Sequence, residues 1–349
     1  MAVLNENQSL KNYNSFGIDA RARWFGRFGS TAGLEEMVDL AGDRQLIILG
    51  GGSNVLFRSD VGGVVLLNEV RGIDLVDEDE DYVYVRAGAG ENWDGLVRYC
   101  IDRDWAGLEN LSLIPGNVGA APMQNIGAYG VEIRDVFWEL EAWSLAQRKV
   151  KTFTPGDCEF GYRESVFKGR LKGQFVILNV VLRLRKQPIF HTSYGAIREE
   201  LGDRELSIRA ISEAVIRIRR SKLPDPAEIG NAGSFFKNPI VPAAEYERLK
   251  EVFPGIVGYP TVTGDAPEAS EAAVRELGAD VKLAAGWLIE QCGWKGFRHG
   301  DAGVHARQAL VLVNYGKATG EEIYALSDEI LTSVKLKFGV LLEREVNII

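Results

Sequence analysis

The stretch Leu46-Ile47-Ile48-Leu49-Gly50-Gly51-Gly52-Ser53-Asn54 joins four consecutive aliphatic residues to three consecutive glycines. A short continuous apolar run predicts a buried strand. Glycines that follow a strand let the backbone approach a phosphate closely and present its N–H groups to it. A simple turn is the alternative interpretation of the same residues. The stretch therefore predicts either a strand-to-turn junction or a phosphate-binding loop.

Two common nucleotide-binding motifs are absent at this junction. A P-loop requires a Gly-Lys-Ser/Thr ending, and no lysine follows Gly52. A Rossmann fingerprint that starts at Gly50 requires Gly or Ala at position 55, which is Val55. Any dinucleotide must therefore be held in a different way.

A second stretch, from Leu111 to Ile133, is dominated by small residues and carries almost no charge before Glu132. Such a segment cannot pack well through its own side chains. It does allow a large flat ligand to lie against the backbone and to accept hydrogen bonds from its amides. The alternative is a long irregular loop, although its low polarity disfavours full solvation.

A third stretch, Gly230-Asn231-Ala232-Gly233-Ser234-Phe235-Phe236-Lys237-Asn238-Pro239, combines hydrogen-bonding side chains with two adjacent large aromatics. The mixture indicates a pocket wall in which Phe235 and Phe236 anchor the chain and the Ser234 hydroxyl points into a cleft. The alternative is a tight turn whose serine and asparagines satisfy nearby backbone groups.

Bulk composition limits the class of protein. A length of 349 residues predicts two or three domains. The net charge of −9 argues against a general nucleic-acid binder. Three distant cysteines and three histidines argue against a disulfide framework and against a metal site. No signal peptide and no apolar run of roughly 20 residues is present, so we expect a cytoplasmic protein without a membrane partner.

Hydrophobic periodicity predicts the secondary structure. Helices are expected at residues 34–41, 93–101, 208–218, 243–252, 284–292 and 320–338, and a short helix is expected after Tyr194 within residues 191–201. An antiparallel sheet is expected from residues 137–143, 149–153 and 176–184, and further strands at 46–49, 64–67, 82–87, 308–314 and 342–349. Residues 77–81 are expected to form a solvated turn. Pro224 and Pro226 stop a helix and suggest a domain boundary.

Six motifs follow one another along the chain, at residues 48–56, 114–122, 124–130, 161–163 (Gly-Tyr-Arg), 233–239 and 342–346. One motif alone would be weak evidence, but the ordered set is specific. Together they resemble the UDP-N-acetylenolpyruvoylglucosamine reductase (MurB) family along essentially the whole chain. Because of Tyr194, the chain is similar to the subclass in which a tyrosine loop contacts the substrate.

The resemblance implies an α+β protein with a vanillyl-alcohol-oxidase (PCMH)-type FAD-binding fold in two subdomains and a C-terminal α/β substrate-binding domain. The implied domains are residues 1–70 joined by the C-terminal strand 338–349, residues 71–222, and residues 223–337. It also implies non-covalent FAD, NADPH as co-substrate, and a monomer. The implied FAD contacts are Gly50, Gly51, Gly52, Ser53, Asn54, Val55, Pro115, Gly116, Gly119, Ala120, Ala121, Gln124, Asn125, Gly127, Tyr129 and Arg219.

The implied reaction reduces UDP-N-acetylglucosamine enolpyruvate to UDP-N-acetylmuramate in bacterial peptidoglycan synthesis. Arg163 would stabilise charge on the substrate carboxylate, with Glu345 beside it, and Ser234 would protonate the alpha carbon. Glu345 lies in an apolar strand, where we expect a raised pKa. The implied substrate contacts are Tyr129, Arg163, Tyr194, Lys222, Asn238 and Gln308.

Two other classes of protein remain as alternatives. An oxidase of the same fold class often attaches its flavin through His or Cys, and no such residue occurs in the FAD motifs of this chain. A non-catalytic nucleotide-binding protein would not need Ser234, Arg163 and Glu345 together. The segment Gly255–Ala279 is longer than we expect in compact members of the family.

Overall fold

The computed structural model describes residues 2–261 and 280–349. Most of the unusually long segment Gly255–Ala279, from residue 262 onward, lies outside the described residues. Among the described residues, no helix is both long enough and apolar enough to cross a bilayer.

The chain divides into two compact units. The first contains Met1–Tyr13, Ala20–Ser53 and Asp60–Ser221, and the second contains Asn14–Asp19, Asn54–Ser59 and Lys222–Ile349. This division differs from the expected domains at the C-terminus. Residues 338–349 belong to the second unit, where Asn347–Ile348 pairs with Val55–Leu56.

A four-stranded sheet carries the first glycine stretch. Its outer pair is antiparallel and its other two pairs are parallel. Only Leu49 of the predicted buried strand is fully buried, and its three apolar neighbours are half-buried. The strands, in spatial order, are Asn5–Ser9, Arg21–Phe28, Val61–Asn68 and Leu46–Leu49.

A five-stranded antiparallel sheet forms the larger part of the first unit, and it contains the three segments that were predicted to pair, at residues 137–143, 149–153 and 176–184. Val83, Val85 and Ala87 are buried, which confirms the predicted alternation. The predicted turn at residues 77–81 is wrong in part, because Asp77 and Glu78 pair with the neighbouring strand as an exposed edge. The strands, in order, are Lys149–Phe153, Phe137–Ser144, Phe175–Arg185, Tyr82–Gly88 and Ile73–Glu78.

The helices of the first unit follow the predicted apolar positions. Cys100 is fully buried in its helix, as expected of a small core residue. The last helix continues to Lys222, beyond the predicted end, before Pro224. The α-helices are Thr31–Ala41, Trp93–Ile101, Pro155–Cys158, Gly195–Leu201 and Ile208–Lys222.

The small-residue stretch of the first unit is built from short turns instead of one long loop. Glycine and alanine leave little side-chain surface to pack, so backbone hydrogen bonds organise the segment. It forms 3-10 helices at Glu109–Leu111, Val118–Ala120, Pro122–Gln124 and Ile133–Asp135 and a hairpin of Gly127–Ala128 with Val131–Glu132.

The second unit combines small sheets with three helices of the described residues. One sheet has Gly230–Asn231, Leu312–Asn314, Ala302–Val304 and Arg298–His299, and another has Ile240–Val241, Val281–Leu283 and Gly258–Pro260. The helices are Ala243–Val252, Ala285–Gln291 and Gly320–Phe338. The predicted capping box of Thr319 and Glu322 is confirmed, and Gly339 ends that helix at a φ of 74°.

Two predicted strands of the second unit are shorter than expected. The strand predicted at residues 308–314 begins at Leu312, because Val311 N–H donates to the Gln308 carbonyl and closes a turn. The C-terminal segment is regular only at Asn347–Ile348, with one isolated bridge at Arg344.

Candidate active site

The first glycine loop offers unpaired backbone donors. Gly52 has a φ of +63°, in the left-handed region that favours glycine. Among the hydrogen bonds of the described residues, none uses the backbone N–H of Gly50, Gly51 or Gly52. Neighbouring unpaired N–H groups form a site for an anion such as a pyrophosphate.

The first glycine loop, at residues 50–53, contacts the second loop, the small-residue stretch at residues 111–133. Ser53 Oγ donates to the carbonyl oxygen of Pro115 at 3.1 Å. A Cβ built on Gly116 would lie 2.5 Å from Ser53 Oγ, and one built on Gly51 would lie 2.8 Å from Asn117 Oδ1. Side chains at either glycine would push the loops apart. The loops therefore form a backbone cradle that suits a flat dinucleotide such as FAD.

A cleft of about 170 Å³ opens beside this cradle. Its walls include Gly50, Gly51 and Asn117, and also Asn68 and Arg71, which sequence reasoning missed. Asn68 could have been predicted from the sequence, because it directly follows the apolar run of a second strand at residues 64–67. Parallel strands end at a common edge of the sheet, so these two strand ends lie together.

The second loop uses most of its N–H groups within the protein. Gly119 N–H donates to the Ala89 carbonyl at 2.9 Å, and Ala121 N–H donates to the Val118 carbonyl at 3.0 Å. A Cβ on Gly119 would lie 2.6 Å from the Ala89 Cβ. Close packing against the sheet thus requires glycine here, and these N–H groups are not available to a cofactor.

Asn125 connects the second loop to the turn that carries Arg163. It is fully buried, and its Nδ2 donates to Glu132 Oε2 at 2.8 Å and to the Gly161 carbonyl at 3.0 Å. Arg163 has a φ of 54°, and its Nη2 donates to the Gly127 carbonyl at 2.7 Å. One hydrogen bond therefore holds the Arg163 guanidinium itself, and the other holds the turn that carries Arg163.

Tyr129, Tyr194 and Arg219 lie together in the first unit. The two tyrosine rings meet edge to face with centroids 5.5 Å apart, and Tyr194 is half exposed. Burial raises the pKa of Tyr129, an effect that the nearby Arg219 opposes. Burial lowers the pKa of Arg219, whose Nε donates to the Leu113 carbonyl at 3.2 Å. A buried guanidinium beside the loop can attract an anionic or carbonyl group of a ligand.

Ser234 is exposed between Gly233 and a pair of buried aromatics. Phe235 and Phe236 are 0% and 1% exposed, which confirms the predicted anchor. Asn231 makes the local turn, since its Oδ1 accepts from Gly233 N–H at 2.9 Å. No hydrogen bond of the described residues uses the Ser234 hydroxyl, so it does not satisfy the turn as the alternative interpretation required.

The segment that carries Glu345 lies antiparallel to the Ser234 stretch. Glu345 N–H donates to the Phe235 carbonyl at 2.9 Å, and Lys237 N–H donates to the Glu343 carbonyl at 2.8 Å. Sequence reasoning missed the buried Lys237, whose Nζ lies 2.8 Å from Glu343 Oε1. The fold therefore brings together two of the three predicted catalytic residues, and Arg163 belongs to the first unit.

Asn54 and Val55 contact the C-terminal strand in the second unit. The Asn54 carbonyl accepts from the N–H of Asn347 at 3.1 Å and from its Nδ2 at 2.9 Å. Val55 pairs with the same residue. These two predicted cofactor residues thus also hold the end of the chain in place.

Two predicted substrate residues meet at the start of the helix Ala285–Gln291. Asn238 Oδ1 accepts from Ala285 N–H at 3.0 Å, and Gln308 Oε1 lies 3.2 Å from a Cβ built on Gly286. Lys222 is exposed at the end of its own helix. Within the described residues, no hydrogen bond or ion pair joins Lys222 to this amide pair.

Comparison with protein families gives two matches. Residues 225–349 match the model described as "UDP-N-acetylenolpyruvoylglucosamine reductase, C-terminal domain". Residues 26–152 match the model described as "FAD binding domain". The two models together cover both small-residue loops, the Ser234 stretch and the C-terminal segment.

Curated relatives resemble the chain over almost its full length. The UDP-N-acetylenolpyruvoylglucosamine reductase of Amoebophilus asiaticus is 50% identical and covers 99% of each chain. That of Pseudomonas aeruginosa is 48% identical and covers 99% of this chain and 98% of its own. The solved structure of the Thermus caldophilus reductase shares the fold, with a TM-score of 0.68, 24% identity and coverage of 100% and 99%.

Proposed function

The chain belongs to the UDP-N-acetylenolpyruvoylglucosamine reductase family, and from this premise we propose which of its residues carry out the reaction. It is an FAD-containing oxidoreductase of vanillyl-alcohol-oxidase-type fold. It catalyses the NADPH-dependent reduction of UDP-N-acetylglucosamine enolpyruvate to UDP-N-acetylmuramate, a step of peptidoglycan precursor synthesis. We propose that it acts as a cytoplasmic monomer.

The FAD site is proposed at the two glycine-rich loops. Bound FAD supplies the hydride chemistry that links NADPH to the substrate. The unpaired N–H groups of Gly50, Gly51 and Gly52 hold the pyrophosphate, and the backbone of the second loop forms a flat wall. Further contacts are proposed from Ser53, Asn54, Val55, Pro115, Gly116, Gly119, Ala120, Ala121, Gln124, Asn125, Gly127, Tyr129 and Arg219.

Arg163 is proposed to bind the substrate carboxylate. Negative charge develops on that group as the enol ether is reduced, and a preorganised cation stabilises it more than water does. Preorganisation is supported by the contact of Arg163 with the Gly127 carbonyl and by the hydrogen bond from Asn125 to Gly161. Glu345 is proposed to hold or share a proton near this charge.

Ser234 is proposed to donate the proton to the alpha carbon of the substrate. The single observation that carries this role is its exposed hydroxyl, which has no partner among the described residues and lies on a stretch paired with the Glu345 segment. A serine is a weak acid, but the carbanionic centre that it meets is a strong base. The fixed Phe235 anchor holds the hydroxyl in position.

The uridine diphosphate group is proposed to contact Tyr194, Lys222, Asn238 and Gln308. Lys222 supplies a mobile point charge that suits phosphate. Asn238 uses its Oδ1 to cap the neighbouring helix, which leaves its Nδ2 to donate to an anion. Tyr129 and Arg163 contact the enolpyruvyl end.

The proposal is tested by identifying the product. FAD-loaded protein is incubated with NADPH and the enolpyruvyl sugar nucleotide, and the products are separated and identified by mass. The expected result is stoichiometric conversion to UDP-N-acetylmuramate. Consumption of NADPH without reduction of the sugar nucleotide would overturn the proposed reaction.

A further inference from the structure

Asn110 ties together two segments that are far apart in the chain. It lies in the 3-10 helix Glu109–Leu111 and is only 1% exposed. Its Nδ2 donates to the Tyr129 carbonyl at 3.0 Å and to the His191 carbonyl at 2.9 Å. One amide group therefore sets the distance between these two stretches of backbone.

Both segments need an external anchor. Tyr129 has a φ of 52°, a strained conformation for a residue other than glycine, and such strain persists only when surrounding contacts hold it. His191 lies between Phe190, which packs against the core, and Tyr194, which is half exposed. The rings of Tyr129 and Tyr194, one on each segment, meet edge to face.

The Oδ1 atom of the Asn110 amide does not contribute to stability. Its Oδ1 is buried and has no hydrogen-bond partner among the described residues. A buried unsatisfied acceptor destabilises a fold, and an apolar residue of similar size would avoid that penalty. The pair of donors to Tyr129 and His191 is the feature that only an amide at this position provides.

We propose that Asn110 is a positioning residue that holds Tyr129 and the segment His191–Tyr194 at the separation at which the two tyrosines bind the sugar-nucleotide substrate. The inference rests on the proposed function, in which Tyr129 and Tyr194 contact that substrate. Asn110 itself does not touch the substrate and acts only through the two carbonyl groups.

The first test compares Asn110→Leu with Asn179→Leu in the FAD-loaded protein. Asn179 is a matched control, because its Oδ1 is also buried without a partner but its Nδ2 bonds the Glu141 side chain. In Asn110→Leu, amide hydrogen exchange in the adjoining helix Gly195–Leu201, whose Ile197 N–H donates to the Tyr194 carbonyl, should accelerate at least several-fold. In Asn179→Leu it should not change. Unchanged exchange in Asn110→Leu would overturn the proposal.

The second test measures substrate handling. Asn110→Leu should raise the KM for the enolpyruvyl sugar nucleotide about ten-fold, the effect of losing one to two hydrogen bonds. The rate of flavin reduction by NADPH should stay at the wild-type value. Equal losses in both half-reactions would indicate a general structural defect and contradict the positioning role.

A double-mutant cycle tests whether Asn110 acts through Tyr194. In the Tyr194→Ala background, adding Asn110→Leu should change the KM for the sugar nucleotide by less than about two-fold, because the group being positioned is gone. Additive effects would overturn the proposal. If the leucine variant fails to fold, Asn110→Ala replaces it, since the smaller side chain cannot clash and also lacks both donors. The exchange measurement needs no substrate, so its outcome is independent of whether the proposed reaction is correct.

Discussion

Glu345 donates its backbone N–H to the carbonyl oxygen of Phe235 at 2.9 Å, which places the last segment of the chain directly beside the Ser234 stretch. Phe235 is fully buried against Phe16, so this pairing rests on a rigid base. The neighbouring bridge between Phe236 and Arg344 continues it. Ser234, which we propose as the proton donor, and Glu345 are thereby held on adjacent backbone of the second unit.

Replacing Ser234 by alanine should separate the two half-reactions. Flavin reduction by NADPH should keep its wild-type rate, because the hydroxyl takes no part in it. Reoxidation by the enolpyruvyl sugar nucleotide should slow by about 10²–10⁴-fold, the range typical of a lost general acid. Stopped-flow absorbance measures both steps separately.

The control for this variant is Ser221→Ala. Ser221 is also exposed, and its Oγ donates to the Ile218 carbonyl within its own helix. Both half-reactions should proceed normally in that variant. If Ser234→Ala slows flavin reduction and reoxidation to the same extent, the assignment of Ser234 as proton donor is wrong.

Gly116→Ala should weaken FAD retention. Gly116 has a φ of +119°, and a Cβ there would lie 2.5 Å from Ser53 Oγ. The substitution combines backbone strain of about 1–3 kcal/mol with loss of the Ser53 to Pro115 hydrogen bond. The ratio of flavin to protein absorbance after gel filtration should fall well below that of wild type.

Gly62→Ala is the matched control for the glycine prediction. A Cβ on Gly62 would meet no atom within 4 Å, so its flavin content should be unchanged. Full flavin content in Gly116→Ala would show that the two loops can separate without affecting the cofactor.

Glu109→Gln should stabilise the protein above neutral pH. Burial raises the pKa of Glu109, while the N–H groups that it accepts from and the charge of His191 oppose the rise. A carboxyl with a raised folded-state pKa contributes stability below its ordinary pKa of 4.5 and loses it as the pH rises through the folded value. The melting temperature of Glu109→Gln should therefore exceed that of wild type at pH ~8, and the two should converge near pH ~4. Each kcal/mol of added free energy of unfolding should raise the melting temperature by about 1–2 °C.

The exposed Glu199 supplies the comparison for Glu109. Glu199→Gln should leave the melting temperature unchanged at both pH values, because its side chain stays in water in either state. A lower melting temperature for Glu109→Gln at high pH would mean that the ionised carboxylate is stabilising, contrary to the expected sign.

The buried thiols should resist modification. Burial raises the pKa of Cys100 and of Cys158 to about 12, and both are fully buried, whereas Cys292 is only half-buried. The thiolate is the reactive form, so Cys292 should react first with a disulfide reagent at pH ~8. Cys292→Ser should remove the fast phase of the reaction, and persistence of that phase would place the reactive thiol elsewhere.

The same thiols predict a loss of stability at high pH. Because the pKa of each thiol is raised in the folded state, the protonated thiols stabilise the fold at pH values below their ordinary pKa of 9.0. This stabilisation is lost as the pH rises toward 12. The free energy of unfolding should fall by about 1.4 kcal/mol per pH unit for each thiol in that window. Urea titrations of wild type and Cys100→Ala across this pH range measure the contribution of one thiol.

Local patterns in the sequence predicted much of the fold. The alternation at Val83, Val85 and Ala87, the capping box at Thr319 and the buried Phe235–Phe236 pair were all predicted, because each depends on residues close together in the chain. The family and its FAD chemistry were likewise predicted from the ordered motifs. The strand predicted at residues 308–314 is confirmed only at Leu312–Asn314, because the Gln308 carbonyl closes a turn, which apolar periodicity does not reveal.

The sequence by itself determined which two glycine-rich segments suit a bound ligand, that Ser234 stands beside an aromatic anchor, and to which family of enzymes the chain belongs. Only the tertiary structure decided that Asn125 holds the turn of Arg163, that Asn110 joins Tyr129 to His191, and that Glu345 pairs with Phe235. The physical reason is that each of these hydrogen bonds connects groups remote in the chain. Their donors and acceptors are common residue types, so only the folded backbone selects which pairs form.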